Sequence, residues 1–136
     1  MYLLDTNVVS ELRKPRPHGA VLAWIEGVPE TDLHLSAVTI GEIQAGIEIT
    51  RAQDAAKAAE IEAWLDQVAT GLNVLALDAE TFRIWARLMH GKTAALIEDA
   101  LIAATGLRHG LTVVTRNTKD FVRFDVRVLN PFKPAA

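Results

Sequence analysis

Short apolar runs that alternate with helical patterns constrain this chain more than any other feature of its sequence. The runs cover residues 2–5, 33–36, 74–77, 111–115 and 126–129. Between them, apolar residues recur at helical spacing, as Ile61, Trp64, Leu65 and Val68 do. Parallel strands need a crossover connection over a face of the sheet, and a helix usually supplies it. The alternation therefore predicts a mostly parallel sheet with helices on both faces.

We accordingly predict an α/β fold with three layers, in which helices cover a mostly parallel sheet of four to five strands. Helices are expected over residues 6–13, 19–26, 38–50 and 97–109, and around Trp64 and Trp85. Three aromatic residues, Trp64, Phe82 and Trp85, recur at core spacing and are expected to be buried. The 136 residues contain no repeat or linker, so we expect a single domain over 1–136.

The composition excludes several classes of protein. There are no cysteines, which excludes disulfide frameworks, iron–sulfur clusters and thiol catalysis. No glycine-rich nucleotide loop and no Gly-x-Ser-x-Gly motif is present, and the four histidines share no ligand spacing. The first residues lack a basic segment, and no apolar stretch approaches the roughly 20 residues of a membrane span. We therefore expect a cytoplasmic protein without membrane association.

The net charge of −3 counts at first against a nucleic-acid-binding protein. Its meaning depends on where the acidic residues lie. If four carboxylates belong to a metal site, the remainder of the chain carries −3 − (−4) = +1. Divalent ions bound there would attract phosphate groups. The net charge therefore does not exclude a nucleic acid as the substrate.

Acidic residues lie where ligands bind in parallel sheets, beyond the carboxyl ends of the strands. Asp5 and Asp120 follow the first and fourth predicted strands, and Glu42 lies early in the helix after the second. Asp99 stands near the start of a helix that continues almost entirely apolar. A buried helix must bring such an acid to solvent, to a cation or to a helix dipole. We expect these four carboxylates to meet at one edge of the sheet.

Each of these acids has an ordinary explanation when it is taken alone. Asp5 could cap the following helix, although Thr6 or Asn7 could do so instead. Glu42 could be a favourable charge near a helix start, and Asp120 a turn residue. Glu98 and Asp99 point about 100° apart around their helix, so we expect only one of them to face the site. The case for a site rests on the four acids together.

A cluster of carboxylates without thiols selects hard cations, namely Mg²⁺ or Mn²⁺. Close negative charges repel one another unless ions neutralise them. Two such ions roughly 4 Å apart can activate a water and stabilise a leaving oxygen, which suits phosphoryl chemistry. The residues therefore predict a metal-dependent enzyme that acts on phosphate esters.

Four segments, in this order and spacing, give the chain a resemblance to PIN-domain ribonucleases of the VapC/FitB type, which are toxins of type II toxin–antitoxin systems. The segments are residues 4–7 (Leu-Asp-Thr-Asn), 36–42, 99–105 and 115–121, and the likeness extends to residues 129–132. Each motif is short, but the ordered set is specific. It covers the whole chain.

The resemblance implies a Mg²⁺ or Mn²⁺ site carried by Asp5, Glu42 and Asp99, and it selects Asp99 over Glu98. It implies an endoribonuclease that cuts structured RNA such as tRNA or rRNA with a metal-activated water. It further implies a cognate antitoxin and a homodimer. Some relatives carry a fourth acid where this chain has Asn117, and others carry it three residues on, as at Asp120. We therefore expect Asp120 to be the fourth ligand.

Polar residues around the four acids are predicted to contact the substrate. These are Thr6, Asn7, Thr115, Arg116, Asn117 and Lys119. Three other functions fit parts of the pattern. An Asp-based phosphatase would want a second Asp at the position of Asn7, and a receiver-like signalling domain would need Asp78 as its phosphoacceptor. The third is a non-catalytic RNA- or protein-binding module on the same fold.

Overall fold

The computed structural model describes residues 1–133 and contains one sheet of five strands within that range. All neighbouring strands run parallel, in the order β3-β2-β1-β4-β5. The strands are β1 (Tyr2–Leu4), β2 (Leu33–Ser36), β3 (Asn73–Leu75), β4 (Thr112–Val114) and β5 (Val128–Leu129). The predicted α/β class is confirmed, and the sheet proves to be wholly parallel.

Seven α-helices lie within residues 1–133 and cover both faces of the sheet. They are α1 (Thr6–Leu12), α2 (Gly19–Glu26), α3 (Ala37–Arg51), α4 (Ala55–Gly71), α5 (Ala79–Met89), α6 (Ile97–His109) and α7 (Thr118–Val122). Successive strand side chains point to opposite faces. Leu3 and Val113 accordingly pack with the α6 residue Ile102, whereas Leu4 and Val114 pack with Val8 of α1. This arrangement is the predicted three-layer fold.

The order of the strands positions the site. After β1 the chain builds β2 and β3 on one side, and it later returns to add β4 and β5 on the other. Ligands in such sheets bind at the carboxyl ends of the strands, where the direction of winding reverses. Here that point lies between β1 and β4, directly beyond Leu4 and Val114.

The structure corrects two details of the sequence analysis. Residues 118–122, which we expected in a loop, form the short helix α7, so Asp120 lies in a helical turn. Phe82 is 47% exposed rather than buried, although it makes an edge-to-face contact with Trp85. Trp64 and Trp85 do pack against the core. Within residues 1–133, every helix is too short or too polar to cross a membrane.

Candidate active site

Asp5 lies at the centre of the site, immediately after the middle strand of the sheet. Its carboxylate is 4% exposed and accepts hydrogen bonds from the Thr6 backbone N–H (2.7 Å), the Thr115 hydroxyl (2.8 Å) and Asn7 Nδ2 (3.1 Å). The sequence left open whether Asp5 or a neighbour caps α1. Asp5 itself is the cap, through Oδ1, while Oδ2 is held by Asn7 and Thr115. Capping and orientation toward the site are therefore compatible.

Glu42 reaches the same edge from the second turn of α3. The Thr6 hydroxyl donates to Glu42 Oε1 (3.1 Å) and also lies 3.1 Å from the Thr39 hydroxyl. Thr39 and Glu42 are three positions apart, so they lie on one face of the helix. Thr39 is fully buried and was not identified from the sequence. The spacing from Glu42 was the signal that could have identified it.

Both acids at the start of α6 lie near the other carboxylates, contrary to our expectation that only one of them would. Glu98 is close enough to Glu42 to raise the pKa of Glu42. Asp99 is close enough to Asp5 and Asp120 for each to raise its pKa. The expectation was wrong because the site extends around the start of α6, so side chains 100° apart meet different acids of the same site. Sequence reasoning thus weighed Glu98 only as the alternative to Asp99 and did not predict that both lie near the site.

Asp120 lies in the first turn of α7, where its carboxylate is 40% exposed and pairs with Arg123 at 3.5 Å. Its charge raises the pKa of both Asp5 and Asp99, which places it beside them. Asn117 is more exposed, and its backbone N–H donates to the Thr115 hydroxyl at 3.0 Å. We call Asp5, Glu42, Asp99 and Asp120 the acid cluster.

The acid cluster is electrostatically strained. Burial raises the pKa of Asp5, against the opposing effect of the hydrogen bonds from Thr115, Thr6 and Asn7. Burial, and then the charges of Asp5, Asp120 and Glu98, raise the pKa of Asp99 to about 6. Burial and the neighbouring Glu98 raise the pKa of Glu42 to about 7. Raised values in several adjacent carboxyls mean that this region lacks compensating positive charge.

A divalent cation fits this set of donors. The cluster offers carboxylate oxygens, with hydroxyl and amide groups beside them, and no thiol or imidazole takes part. As the side chains stand within residues 1–133, no three acidic or histidine groups converge on one point at ligand distance. Mg²⁺ usually keeps several of its waters and is held directly by only one or two carboxylates. The donor chemistry therefore suits a divalent cation, to which the side chains of residues 1–133 as they stand could supply at most two acidic or histidine ligands directly.

The remaining residues predicted to contact substrate surround the acid cluster in different ways. Thr115 is fully buried and its hydroxyl is committed to Asp5. Asn7 Oδ1 accepts the backbone N–H of Arg116 at 3.2 Å, so Asn7 joins Asp5 to the loop after β4. Arg116 and Lys119 are exposed on that loop and on α7. Asn7 and Thr115 thus hold the site together, and the cations lie at its rim.

Neutralising Glu42 is expected to stabilise the metal-free protein. Its pKa is raised in the folded state, so the stability it contributes is full below its ordinary value of 4.5 and is lost as the pH rises through about 7. Because the side chain is half-exposed, we expect Glu42→Gln to raise the melting temperature by only about 3 °C at about pH 8. The gain in melting temperature should vanish at about pH 4, where Glu42 is protonated in the folded and in the unfolded protein. Thermal unfolding in EDTA measures it, and a lower melting temperature at the higher pH would contradict the proposed strain.

Comparison with known proteins shows which family the chain is similar to. A family model described as the PIN domain matches residues 2–127. The chain is similar to the toxin FitB of Neisseria gonorrhoeae, with 36% identity over 140 residues that cover 97% of this chain and 99% of the relative. It is also similar to the VapC ribonuclease Y4jK of Sinorhizobium fredii, with 38% identity over 144 residues, covering 99% and 100% of the two chains.

Solved structures show the same likeness. The chain resembles one in the crystal structure of FitAcB from Neisseria gonorrhoeae, with a TM-score of 0.85 and 36% identity, covering 97% of this chain and 99% of that one. A toxin–antitoxin complex from Klebsiella pneumoniae contains a chain with a TM-score of 0.72 and 25% identity, covering 96% and 98%. In each case the likeness extends over almost the whole of both chains.

Proposed function

Because this chain belongs to the PIN-domain family, we propose that it is a Mg²⁺- or Mn²⁺-dependent endoribonuclease and the toxin of a toxin–antitoxin pair. The observation that carries the proposal is the acid cluster, in which Asp5, Glu42 and Asp99 all have raised pKa values. A site that keeps several carboxyls close together at a cost in stability is suited to binding a cation. Structured RNA such as tRNA or rRNA is the proposed substrate.

Asp5 and Asp99 would hold the ion, and Glu42 and Asp120 would complete the site directly or through water. When bound, the ion supplies a nucleophile from water and neutralises charge that develops on the phosphate group. The chain contributes orientation. Thr115 and Asn7 fix the Asp5 carboxylate, and the Thr6 hydroxyl fixes Glu42. Groups held by such secondary contacts keep their geometry without reorganising during the reaction.

The rival functions gain less support from the geometry. A phosphatase that uses Asp5 as its nucleophile would need a second acid two residues further along the chain. Asn7 stands where the second acid would be. Asp78, the receiver-like candidate, caps α5 and pairs with Arg108 at 3.1 Å. Its pKa is lowered to about 2, chiefly by the Thr81 backbone N–H, as expected of a structural cap.

The direct test is cleavage of RNA by the purified protein. We expect fragments from total tRNA or rRNA when Mg²⁺ or Mn²⁺ is supplied and none in excess EDTA. Sequencing of the RNA ends formed in cells that express the protein alone would identify the cleaved bond. Tight binding of metal and RNA without cleavage would favour the non-catalytic binding module instead.

A groove beside the acid cluster suits the proposed antitoxin. Two adjoining hollows of about 290 and 340 Å³ share Arg13, Ile61 and Trp64, and the first also reaches Thr6 and Glu42. Isoleucines of α3 and α4 and Trp64 supply its apolar lining, basic side chains line it as well, and it reaches the Glu42 carboxylate. We propose that a segment of the antitoxin lies in it and closes the site to RNA.

Association of two copies of this chain is also proposed, and light scattering would measure it.

An acidic side chain in the middle of this groove should prevent inhibition. We expect Ile61→Glu to weaken the antitoxin's binding at least about tenfold, since a charge buried against apolar side chains is costly. RNA cleavage should continue, because Ile61 is absent from the acid cluster. Ile49→Glu is the matched control, because Ile49 lies on α3, is 69% exposed and does not line the groove. Titration of RNA cleavage with antitoxin measures both variants, and equal sensitivity would refute this location.

A further inference from the structure

We propose that the loop after β4 and the C-terminal turn, residues 130–133, form a binding subsite for a backbone phosphate of the RNA beside the scissile bond. Arg116 is its principal ligand, and Phe132 is the residue that positions Arg116. The inference rests on the proposed function for the identity of the ligand. It adds a site that adjoins the acid cluster at Asp120 and includes residues 130–133, which the function above does not use.

The Arg116 side chain is held in a way that leaves its donors available. Its guanidinium carbon lies 3.8 Å from the centre of the Phe132 ring. Five other arginines pair with a carboxylate, whereas Arg13, Arg16 and Arg127 have no ion pair within residues 1–133 and are not stacked on an aromatic ring there. Within residues 1–133, Arg116 forms no ion pair. A stacked guanidinium keeps its N–H groups in plane and free for an anion, which is how arginine often presents itself to phosphate.

The nearby acid does not compete for Arg116. Glu11 is buried, and its pKa is lowered first by the Lys14 side chain and less by the charge of Arg116. Its carboxylate already pairs with the Lys14 ammonium at 2.7 Å and accepts the His18 backbone N–H at 2.9 Å. The positive charge of Arg116 is therefore left for a ligand from outside.

Arg116 is also fixed relative to the acid cluster. Its backbone N–H donates to Asn7 Oδ1 at 3.2 Å, and Asn7 Nδ2 donates to Asp5 Oδ2 at 3.1 Å. The Asn7 side chain thus bridges the Asp5 carboxylate and the Arg116 backbone. A ligand group held by Arg116 would keep a constant position relative to Asp5.

Two lysines lie near Arg116 at the surface. A depression of about 360 Å³ is bordered by Arg116, Lys119, Lys133, Asn130 and Asp120, among others. Among residues 1–133, Asp120 is the only acid that borders it, and the Asp120 carboxylate is paired with Arg123 at 3.5 Å. Because Asp120 also belongs to the acid cluster, a chain of phosphates that crosses the cluster would pass next to these cations. The excess of positive charge favours a phosphodiester there.

The C-terminal turn is built to hold Phe132 in place. Asn130 Oδ1 accepts the Phe132 backbone N–H at 2.9 Å, and Pro131 between them is buried. The strand before the turn is tied to the loop after β4, because the Thr115 N–H donates to the Leu129 carbonyl at 2.9 Å. The edge of the His18 ring meets Phe132 with 5.3 Å between centroids. The ring therefore has a defined position under Arg116.

The test is binding of a fluorescein-labelled single-stranded RNA of mixed sequence to the full-length protein in EDTA, followed by fluorescence anisotropy over a range of salt concentrations. We expect Arg116→Ala to weaken binding about tenfold and to reduce the slope of log K against log salt by about 0.7. Phe132→Leu should weaken binding about threefold. Phe132→Trp should bind the RNA as tightly as the wild-type protein does, because the indole ring also stacks with the guanidinium. In an Arg116→Ala background, Phe132→Leu should have no further effect, because Phe132 acts through Arg116.

Arg127→Ala is the matched control. Arg127 is exposed just before β5, at the opposite end of the strand, and donates to the Gly110 carbonyl at 3.3 Å. If Arg116→Ala weakened binding no more than Arg127→Ala, the subsite would be wrong. If Phe132→Leu weakened binding equally in both backgrounds, the positioning role would be wrong. Because cleavage plays no part in this assay, the subsite could stand if the ribonuclease proposal failed, or fail if that proposal stood.

Discussion

The Asp99→Asn variant is expected to cleave RNA about 1000-fold more slowly than the wild-type protein in saturating Mg²⁺. The amide has nearly the same shape as the carboxyl but carries no charge, so it holds a cation far less well. Asp99 has its pKa raised to about 6 by burial and by the charges of Asp5, Asp120 and Glu98, so it lies where an added positive charge is needed. Initial rates of cleavage of a labelled tRNA measure the effect.

Two matched variants make this result specific. Asp66→Asn makes the same change on an exposed position of α4 and should leave the rate unchanged. Glu98→Gln tests the choice between adjacent acids, and we expect it to lose less than about tenfold, as outer residues of metal sites usually do. The melting temperature of Asp99→Asn should not fall, because the substitution removes like-charge repulsion. A fully active Asp99→Asn protein, or a greater loss in Glu98→Gln, would show that the ligands are wrongly assigned.

Binding of Mg²⁺ or Mn²⁺ is expected to weaken at least about 100-fold between about pH 8 and about pH 5. An ion must displace protons from the carboxyls that hold it. Glu42 has a pKa of about 7, from burial and the neighbouring Glu98, and Asp99 a pKa of about 6. Both are ionised at the higher pH and protonated at the lower one, so each contributes to the loss. Arg123 opposes the protonation of Asp99 but not enough to reverse it.

Isothermal titration calorimetry with Mn²⁺ across this pH range measures the affinity. The same titrations in buffers of different ionisation enthalpy give the number of protons that are released on binding. Glu42→Gln should bind the ion more weakly at the higher pH but depend less steeply on pH, because one of the titrating groups is gone. A wild-type affinity that stays constant down to about pH 5 would mean that these carboxyls are already ionised there, contrary to their raised pKa values.

Much of the architecture followed from local patterns in the sequence. The alternation of apolar runs and helical periodicities predicted a parallel sheet with helices on both faces, and the structure confirms it. The same alternation placed Asp5 and Glu42 beyond adjacent strands. These inferences succeeded because residue spacing and covalent neighbours determine which side chains share a face or follow a strand. Phe82 was an exception, since helical spacing gives the direction of a side chain but not whether another element covers it.

The arrangement inside the site depended on contacts between distant parts of the chain. Sequence could not indicate that β1 lies between β2 and β4, which is what brings Thr115 to the Asp5 carboxylate. It also misjudged Glu98, because the acids that surround a helix start are set by packing with other elements. The placement of Phe132 under Arg116 joins two segments through pairing of β4 with β5.

The sequence by itself determined the class of fold and predicted the chemical type of the site and its acids, since these depend on residue identity and short-range spacing. The tertiary structure alone decided which acids are neighbours, which polar groups orient them and which carboxyls have a raised pKa. Those properties arise from strand order, helix packing and burial. Each of these depends on many contacts between residues far apart in the sequence, which no local stretch of the chain encodes.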